Sequence, residues 1–157
     1  MDPHYKVYFR NFPEPQLLLD VLNDDRSWGV SVGATSKKDD ADWIVTTLTS
    51  QGMRKRFPGQ DGKLSLTLFE EHQAPETFFN TDNWMRCPNP DFQSQDAYKI
   101  YLVNHEFGHV LMYGHRVDKP GYCPVMYQQT KKGKCWPCPW PRLCGDLDDD
   151  LFERTNK

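Results

Sequence analysis

The sequence contains no long apolar run. No stretch approaches the ~20 consecutive apolar residues that a membrane-spanning helix requires, and no apolar signal segment follows Met1. We therefore expect no membrane partner. As numbered here, the chain is expected to be intracellular; it would be secreted if this sequence were the trimmed form of a longer one.

The sequence also has no excess of positive charge. The formal net charge is -3 at pH 7, and the only basic cluster, residues 54–56, lies between two strand-like segments and is expected to be a solvated turn. An acidic chain with scattered basic residues is not drawn to nucleic acid or to an anionic membrane. A nucleic-acid module beside the three lysines of residues 131–134 is therefore the least favoured function.

The chain is long enough for one compact domain. With 157 residues, of which 38% are hydrophobic, it can bury a core of its own, whereas two domains would be cramped. We expect a monomer with a single domain over residues 1–145. Residues 146–157, DLDDDLFERTNK, are interpreted as a solvated acidic tail; a calcium site on the alternating carboxylates is the alternative.

Patterns of apolar residues predict an α+β fold. Alternation around Val7 indicates a first strand, and a helix opened by Pro13 and Pro15 carries an apolar stripe and ends near Asn23. Further predicted elements are strands over 43–49 and 64–69, a helix over 95–111, and an irregular region from 116. In LSLTLF, residues 64–69, the leucines point to one side, so we expect one buried and one exposed face.

The segment HEFGHVLMYGH, residues 105–115, contains the candidate metal ligands and a candidate catalytic carboxyl group. In a helix His105 and His109 lie one turn apart on the same face, with about 6 Å between Cβ atoms, so both imidazoles can bind one ion. Glu106 projects to the flank of that pair, where it can reach a metal-bound water without binding the metal. A catalytic zinc needs a third protein ligand, for which His115 is the candidate. The alternative is a helix with solvated histidines.

A second motif makes the chain resemble a known clan of enzymes. HExxHxxxxxH at the end of a helix, followed by a methionine in the tight turn of CPVMYQQT, resembles the metzincin clan of zinc peptidases, with Met126 as the Met-turn residue beneath the zinc. The chain also resembles an uncharacterised metzincin-like family of actinobacterial proteins. Four of its segments are similar to segments of that family in order and spacing: DDRSWGV, DAYKIYLVNHEFGH, PVMYQQT and PCPWP. This similarity extends from residue 5 to residue 141.

The resemblance implies a function and the residues that perform it. His105, His109 and His115 are implied as ligands of one catalytic Zn²⁺. Glu106 is implied as the general base and acid of an endopeptidase that hydrolyses peptide bonds through a zinc-bound water. The substrate would be a peptide or protein that pairs with the open edge of strand 64–69. The alternative is a catalytically inactive metzincin-like domain that binds metal or a protein partner.

The resemblance also implies the architecture. Residues 1–111 would form a small twisted, mostly parallel sheet with an edge strand, a backing helix and the active-site helix. Residues 112–145 would form an irregular Cys/Pro-rich C-terminal subdomain that contains the Met-turn. Subgroups of the clan that use a tyrosine near the metal place it two residues after the methionine, so Tyr127 is interpreted as a core or rim residue, with a role at the metal as the alternative.

Met112 stands where the clan has a glycine. If the helix continued through residue 115, His115 would lie about 9 Å beyond His109 along the axis and face another direction, so the chain must leave the helix between 111 and 114. We predict that Met112 adopts the left-handed conformation, with a turn at Gly114 as the alternative. Gly108 has no side chain, which we expect to admit a neighbouring strand or a substrate.

Five cysteines remain, an odd number that leaves at least one thiol unpaired. Cys123, Cys135, Cys138 and Cys144 could form disulfides or hold a second, structural zinc, and disulfides are favoured. The similarity to the actinobacterial family implies a bridge near residues 123 and 135. Cys87 lies in RCPNPD, which resembles the cysteine switch of matrix metalloproteinases and implies a thiolate latch on the zinc; an ordinary loop cysteine is the favoured interpretation.

Overall fold

The structure of the protein is a computed structural model that describes residues 3–117 and 119–147. Within these residues it has an α+β fold with one mixed five-stranded sheet and four α-helices. The strands are β1 Tyr5–Arg10, β2 Val32–Ala34, β3 Trp43–Leu48, β4 Leu66–Leu68 and β5 Glu76–Asn80. The helices are α1 Pro15–Asn23, α2 Ser50–Arg56, α3 Thr81–Met85 and α4 Gln95–Val110, with a short 3-10 helix at Lys38–Asp40. No helix of this described part is both long and apolar enough to cross a membrane.

The sheet is mostly parallel. Its strand order is β2-β1-β3-β5-β4, and of these strands only β4 runs antiparallel to its neighbour, in a register that places Thr67 opposite Thr77. Since β4 ends the order, it is an edge strand, and no strand from the described ranges pairs with its outer side. The predicted edge strand within residues 64–69 is confirmed.

The two longest helices pack together and against the sheet. On α1, Leu18 and Leu22 of the predicted apolar stripe are fully buried. On α4, Phe107 is fully buried and its ring meets those of Tyr5 and Trp43 edge to face, at centroid distances of 5.3 and 5.2 Å. Burial of each large apolar side chain contributes about 1.5–3 kcal/mol, so these contacts hold the helix with the predicted site firmly in place.

Some segments without a predicted helix or strand contain one, among them α2, β5 and α3. Residues 54–56, expected to be a turn, are the exposed last turn of α2. The Thr49 hydroxyl caps this helix by accepting a hydrogen bond from the Gly52 N–H at 3.0 Å, and basic residues at the other end suit the helix dipole. Glu76–Asn80 is β5, which lies between β3 and β4 and is mostly buried. A strand covered on both faces lacks the alternation that would reveal it in the sequence.

The buried leucine face expected for residues 64–69 is wrong. Only Leu66–Leu68 form the strand, and every residue from 64 to 68 is half-buried. The reason is the edge position of β4. It has a neighbouring strand, β5, on one side, and at the edge of the sheet neither of its faces is fully enclosed.

From Met112 to Leu147 the described residues form no helix or strand, as predicted for an irregular C-terminal region. Two disulfides link Cys123 to Cys135 and Cys138 to Cys144, with Cα atoms 5.0 and 6.0 Å apart. The bridge expected near residues 123 and 135 is confirmed. All four cysteines considered as ligands of a structural zinc are paired in this way, and Cys87 is left as a thiol.

Asp146 corrects the predicted boundary of the acidic tail. Its side chain is fully buried rather than solvated, so the folded unit extends at least to this residue. Positions 148 to 157 of the proposed tail, and with them most of the alternative calcium segment, lie outside the described residues.

Candidate metal centre

The three predicted histidines come together in the structure. His105 and His109 lie on the C-terminal half of α4, and His115 returns to them after the helix has ended. One ligand nitrogen from each ring lies within 4.8 Å of the other two. His105 is buried, His109 is half-buried and His115 is exposed, so the cluster opens toward solvent on one side. The spacing of the motif predicted this convergence correctly.

The return of His115 depends on Met112, whose φ angle is 73°. This is the left-handed conformation predicted from the spacing. The Met112 N–H donates to the His109 carbonyl and the Tyr113 N–H to the Gly108 carbonyl, each at 2.9 Å, which closes the helix in the manner of a C-terminal cap. Gly114 has no positive φ, so the alternative turn at Gly114 is wrong.

Backbone carbonyls orient two of the imidazoles. His105 Nδ1 lies 2.7 Å from the Val125 carbonyl oxygen, and His109 Nδ1 lies 2.9 Å from that of Tyr113. A carbonyl oxygen can only accept, so each Nδ1 carries the hydrogen and each neutral ring keeps its lone pair on Nε2. Histidines that bind a metal through Nε2 are oriented in this way.

Burial keeps the His105 ring neutral. Desolvation, together with the nearby His109 and His115, lowers the pKa of His105 well below its usual value, so the ring is neutral at pH 7. Its Nε2 is buried and has no hydrogen-bond partner among the described residues. The Nε2 atoms of His109 and His115 are 3.2 Å apart. Three imidazole nitrogens around one point fit a catalytic zinc, which takes three protein ligands and keeps one open position.

Glu106 lies beside the cluster and is almost completely buried, with 3% of its surface exposed. Burial raises the pKa of this carboxyl group to about 7, although a hydrogen bond from Thr67 lowers it in part. The Thr67 hydroxyl donates to Glu106 Oε2 at 2.6 Å. Glu106 is not a member of the ligand group, as the motif predicted. It can therefore gain and lose a proton near neutral pH without releasing a metal.

The predicted Met-turn residue packs against the helix that carries the histidines. Met126 is fully buried, and its sulfur lies so close to Gly108 that a Cβ atom there would collide with it. The indole of Trp28 would lie 3.0 Å from the same Cβ. Gly108 thus permits close packing, but the expected neighbour, a strand or a substrate, is wrong: the neighbours are two side chains.

Asp146 holds the turn from the other side, a role that the sequence pattern did not reveal. Its carboxylate accepts hydrogen bonds from the N–H groups of Val125, at 2.6 Å, and Met126, at 3.0 Å. Burial raises the pKa of Asp146 to about 6, against these two hydrogen bonds, which lower it. No local signal distinguishes this residue within an acidic run that reads as a tail.

A cleft of about 330 Å³ separates the histidines from the edge strand. Its lining combines Glu106, His109 and His115 with Leu64, Leu66, Thr67, Phe69 and Gln128. Within residues 3–117 and 119–147, no ionisable side chain other than Glu106 and the histidines lines it. The Gln128 amide nitrogen lies 3.4 Å from His115 Nε2, at the rim of the cluster. Thr67 was not predicted as a partner of Glu106, because it reaches that residue through the packing of distant segments.

Two other residues considered for the site lie elsewhere. The Cys87 thiol donates to the Asn89 carbonyl at 3.2 Å and is not a member of the ligand group. Desolvation raises the pKa of this thiol, which disfavours the thiolate that a latch would need. The cysteine-switch interpretation is therefore wrong. Tyr127 places its phenol against Gly133 and does not line the cleft, so it is a rim residue.

Comparison with known proteins finds one related family. Residues 14–134 match the model of a family described as "Protein of unknown function (DUF3152)". The match includes the three histidines, Glu106 and Met126 and ends before Cys135 and Asp146. No curated protein and no solved structure matches the chain.

Proposed function

The chain belongs to the DUF3152 family, whose function is unknown, and we propose that it is a zinc-dependent endopeptidase. One observation carries the proposal: three imidazoles converge within 4.8 Å beside a buried carboxyl group, on the wall of an open cleft. A histidine cluster with a purely structural role would need neither the cleft nor a carboxyl group whose pKa is about 7.

His105, His109 and His115 would hold the zinc. The first two are already oriented by backbone carbonyls, so little freedom would be lost on binding. A zinc ion in this site would supply an acidified water and polarise the scissile carbonyl. Glu106 would take the proton of the attacking water and pass it to the leaving amine.

An extended peptide is the substrate that the cleft favours. The edge strand β4 lines it, and the backbone N–H and C=O groups on the outer side of an edge strand can pair with an added strand. Leu64, Leu66 and Phe69 provide apolar contacts in the same wall. We therefore propose that uncharged, apolar side chains are preferred next to the scissile bond.

Two features support placing the protein in the metzincin clan. A left-handed residue, Met112, redirects the chain between the second and third histidines, which is the conformation that the clan's glycine adopts. A buried methionine, Met126, packs against the same helix. Gln128 stands two residues after that methionine, where some subgroups have a tyrosine, and its amide lies beside His115. We propose that Met112 replaces the clan's glycine without moving the third histidine.

Metal content and peptide cleavage, measured together, test this function. The purified protein should contain close to one zinc per chain and cleave members of a random peptide library, and a chelator should abolish cleavage. Glu106→Ala should keep the zinc and lose about 10²- to 10⁴-fold in kcat, because it removes the proton carrier but no ligand. His115→Ala should lose the metal as well.

Asp20→Ala is the matched control, since it removes an exposed carboxylate of α1 and should cleave as the parent does. Zinc bound without cleavage of any library peptide would overturn the peptidase and leave the alternative, an inactive metal-binding or partner-binding domain. A parent that binds no zinc at neutral pH would overturn the metal centre itself.

A further inference from the structure

Three side chains outside the histidine cluster form a series of hydrogen bonds that ends on Glu106. The indole Nε1 of Trp43 donates to the Thr77 hydroxyl at 2.8 Å. Thr77 and Thr67, which lie opposite each other on β5 and β4, share a hydrogen bond of 2.7 Å. Thr67 then reaches Glu106 Oε2 at 2.6 Å. The series thus joins the centre of the sheet, the edge strand and α4.

The donor groups give this series a direction. An indole N–H can only donate, so the Thr77 oxygen accepts from Trp43 and its own hydrogen can point to Thr67. Thr67 accepts that hydrogen and donates its own to Oε2. If Thr67 donated to Thr77 instead, the Thr77 oxygen would accept from both Trp43 and Thr67. The hydroxyl hydrogen of Thr77 would then need another acceptor, and no described residue provides one. Trp43 and Thr77 are fully buried, so water does not compete at that end.

We propose that Thr67 is a positioning residue for Glu106, and that Trp43 and Thr77 set its orientation. Held at Oε2, the carboxylate exchanges protons through Oε1 alone. The inference rests on the proposed peptidase function. The water oxygen bonds to the scissile carbon as its proton moves to Oε1; the same proton then passes to the amine nitrogen as the C–N bond breaks, and Glu106 is a carboxylate again.

The location of Thr67 links the substrate site to the general base. Thr67 is the central residue of β4 and lines the cleft. A peptide paired with β4 would restrain the same strand whose side chain holds the carboxylate. Part of the orientational freedom of Glu106 would therefore be lost before the reaction begins, which lowers the barrier.

Two substitutions at one position test the proposal. Thr67→Val removes the hydroxyl at nearly constant volume, whereas Thr67→Ser keeps it. With a library peptide that the parent cleaves, Thr67→Val should lower kcat about 10- to 100-fold, with KM and zinc content unchanged, because orientation is lost but no ligand or substrate contact is removed. Thr67→Ser should recover most of kcat.

Thr47→Val is the matched control and should cleave as the parent does. Thr47 lies on the same sheet, donates its hydroxyl hydrogen to the Asn11 carbonyl at 2.7 Å and does not line the cleft. A Thr67→Val variant with the parent's kcat would overturn the proposal. So would a Thr67→Ser variant as slow as Thr67→Val, because the methyl group rather than the hydroxyl would then be responsible.

A measurement without turnover separates this inference from the peptidase function. In thermal melts, Thr67→Val should lower the midpoint, and the decrease should shrink to about half or less in a Glu106→Ala background, since the partner of the hydroxyl is then absent. Equal decreases in both backgrounds would overturn the positioning role, whether or not a peptide is cleaved. An inactive parent that shows the coupling would overturn the peptidase and support the contact between Thr67 and Glu106.

Discussion

The carboxylate of Asp146 lies 3.0 Å from the backbone nitrogen of Met126, which is part of the peptide group that joins Val125 to Met126. This peptide group connects Asp146 to His105, one of the three clustered histidines. The carbonyl of that peptide belongs to Val125 and accepts the Nδ1 hydrogen of His105 at 2.7 Å. A carboxylate that accepts from the N–H of a peptide polarises its carbonyl, and hydrogen bonds in series strengthen one another. The same arrangement would make His105 a stronger ligand for the proposed zinc.

Asp146→Asn should therefore weaken zinc binding. The two backbone N–H groups donate to different oxygens of the Asp146 carboxylate, and in an amide one of these positions is an NH₂ group, which cannot accept and would face an N–H. We expect the zinc affinity to fall about 10-fold, as for other groups that support a metal ligand, in competition with a chromophoric chelator. Asp82→Asn is the matched control, because Asp82 accepts the Ser50 N–H at 2.8 Å outside the cleft. Equal affinities in the parent and Asp146→Asn would contradict the link.

Met112→Gly should stabilise the zinc-bound protein by about 1 kcal/mol, because glycine adopts a positive φ without the strain that a side chain incurs. Lost packing of the half-buried methionine would reduce the gain. Met112→Asn is a useful second variant, because asparagine tolerates a positive φ better than most residues with a side chain. His72→Gly isolates the backbone effect, since His72 has a φ of 63° and is exposed. Thermal melts with saturating zinc provide the comparison. A lower midpoint for both Met112 variants would show that the helix does not end as described.

The cysteines should be found in one pairing. Non-reducing mass spectrometry after alkylation should show Cys123 bonded to Cys135, Cys138 bonded to Cys144, and a single alkylated thiol at Cys87. Reduction should lower the melting temperature, because each bridge in a region without helix or strand contributes about 2–4 kcal/mol. Five alkylated thiols with two zinc ions per chain would instead establish the structural zinc.

His105 should make the metal-free protein sensitive to acid. Burial holds the pKa of His105 well below 6.5 in the folded state, whereas the unfolded chain takes up a proton near 6.5. Its contribution is therefore present above about pH 6.5 and is lost as the pH falls, by up to about 1.4 kcal/mol per unit. Glu106 acts oppositely, because its raised pKa of about 7 means that its contribution is lost as the pH rises.

The difference between the parent and His105→Gln separates these two effects. Glutamine does not titrate, so the melting temperature of the metal-free parent relative to this variant should fall between pH 7.5 and pH 5.5. A difference that stays constant across this range would show that His105 is not buried as a neutral ring.

Local spacing was sufficient to predict that the three histidines converge. The period of a helix alone places His105 and His109 on one face. The need to bring His115 back to them requires a turn between residues 111 and 114, and the resemblance to the clan led to the prediction of a positive φ at Met112. Strand β1 and helices α1 and α4 were predicted for a similar reason, since their apolar residues repeat at short, regular intervals. Strand β3 was predicted from its β-branched residues.

Contacts between distant segments were decided only by the tertiary structure. Thr67 and Glu106 are 39 positions apart, and Val125 and Asp146 are 21 apart; each pair meets because the edge of the sheet or the C-terminal loop packs beside the helix. The sequence by itself determined what acts within a turn or two of one helix, where backbone geometry sets the distances. Which hydroxyl orients Glu106, and which carboxylate holds the Met-turn, depends on packing across the whole core, which leaves no periodic trace in the chain.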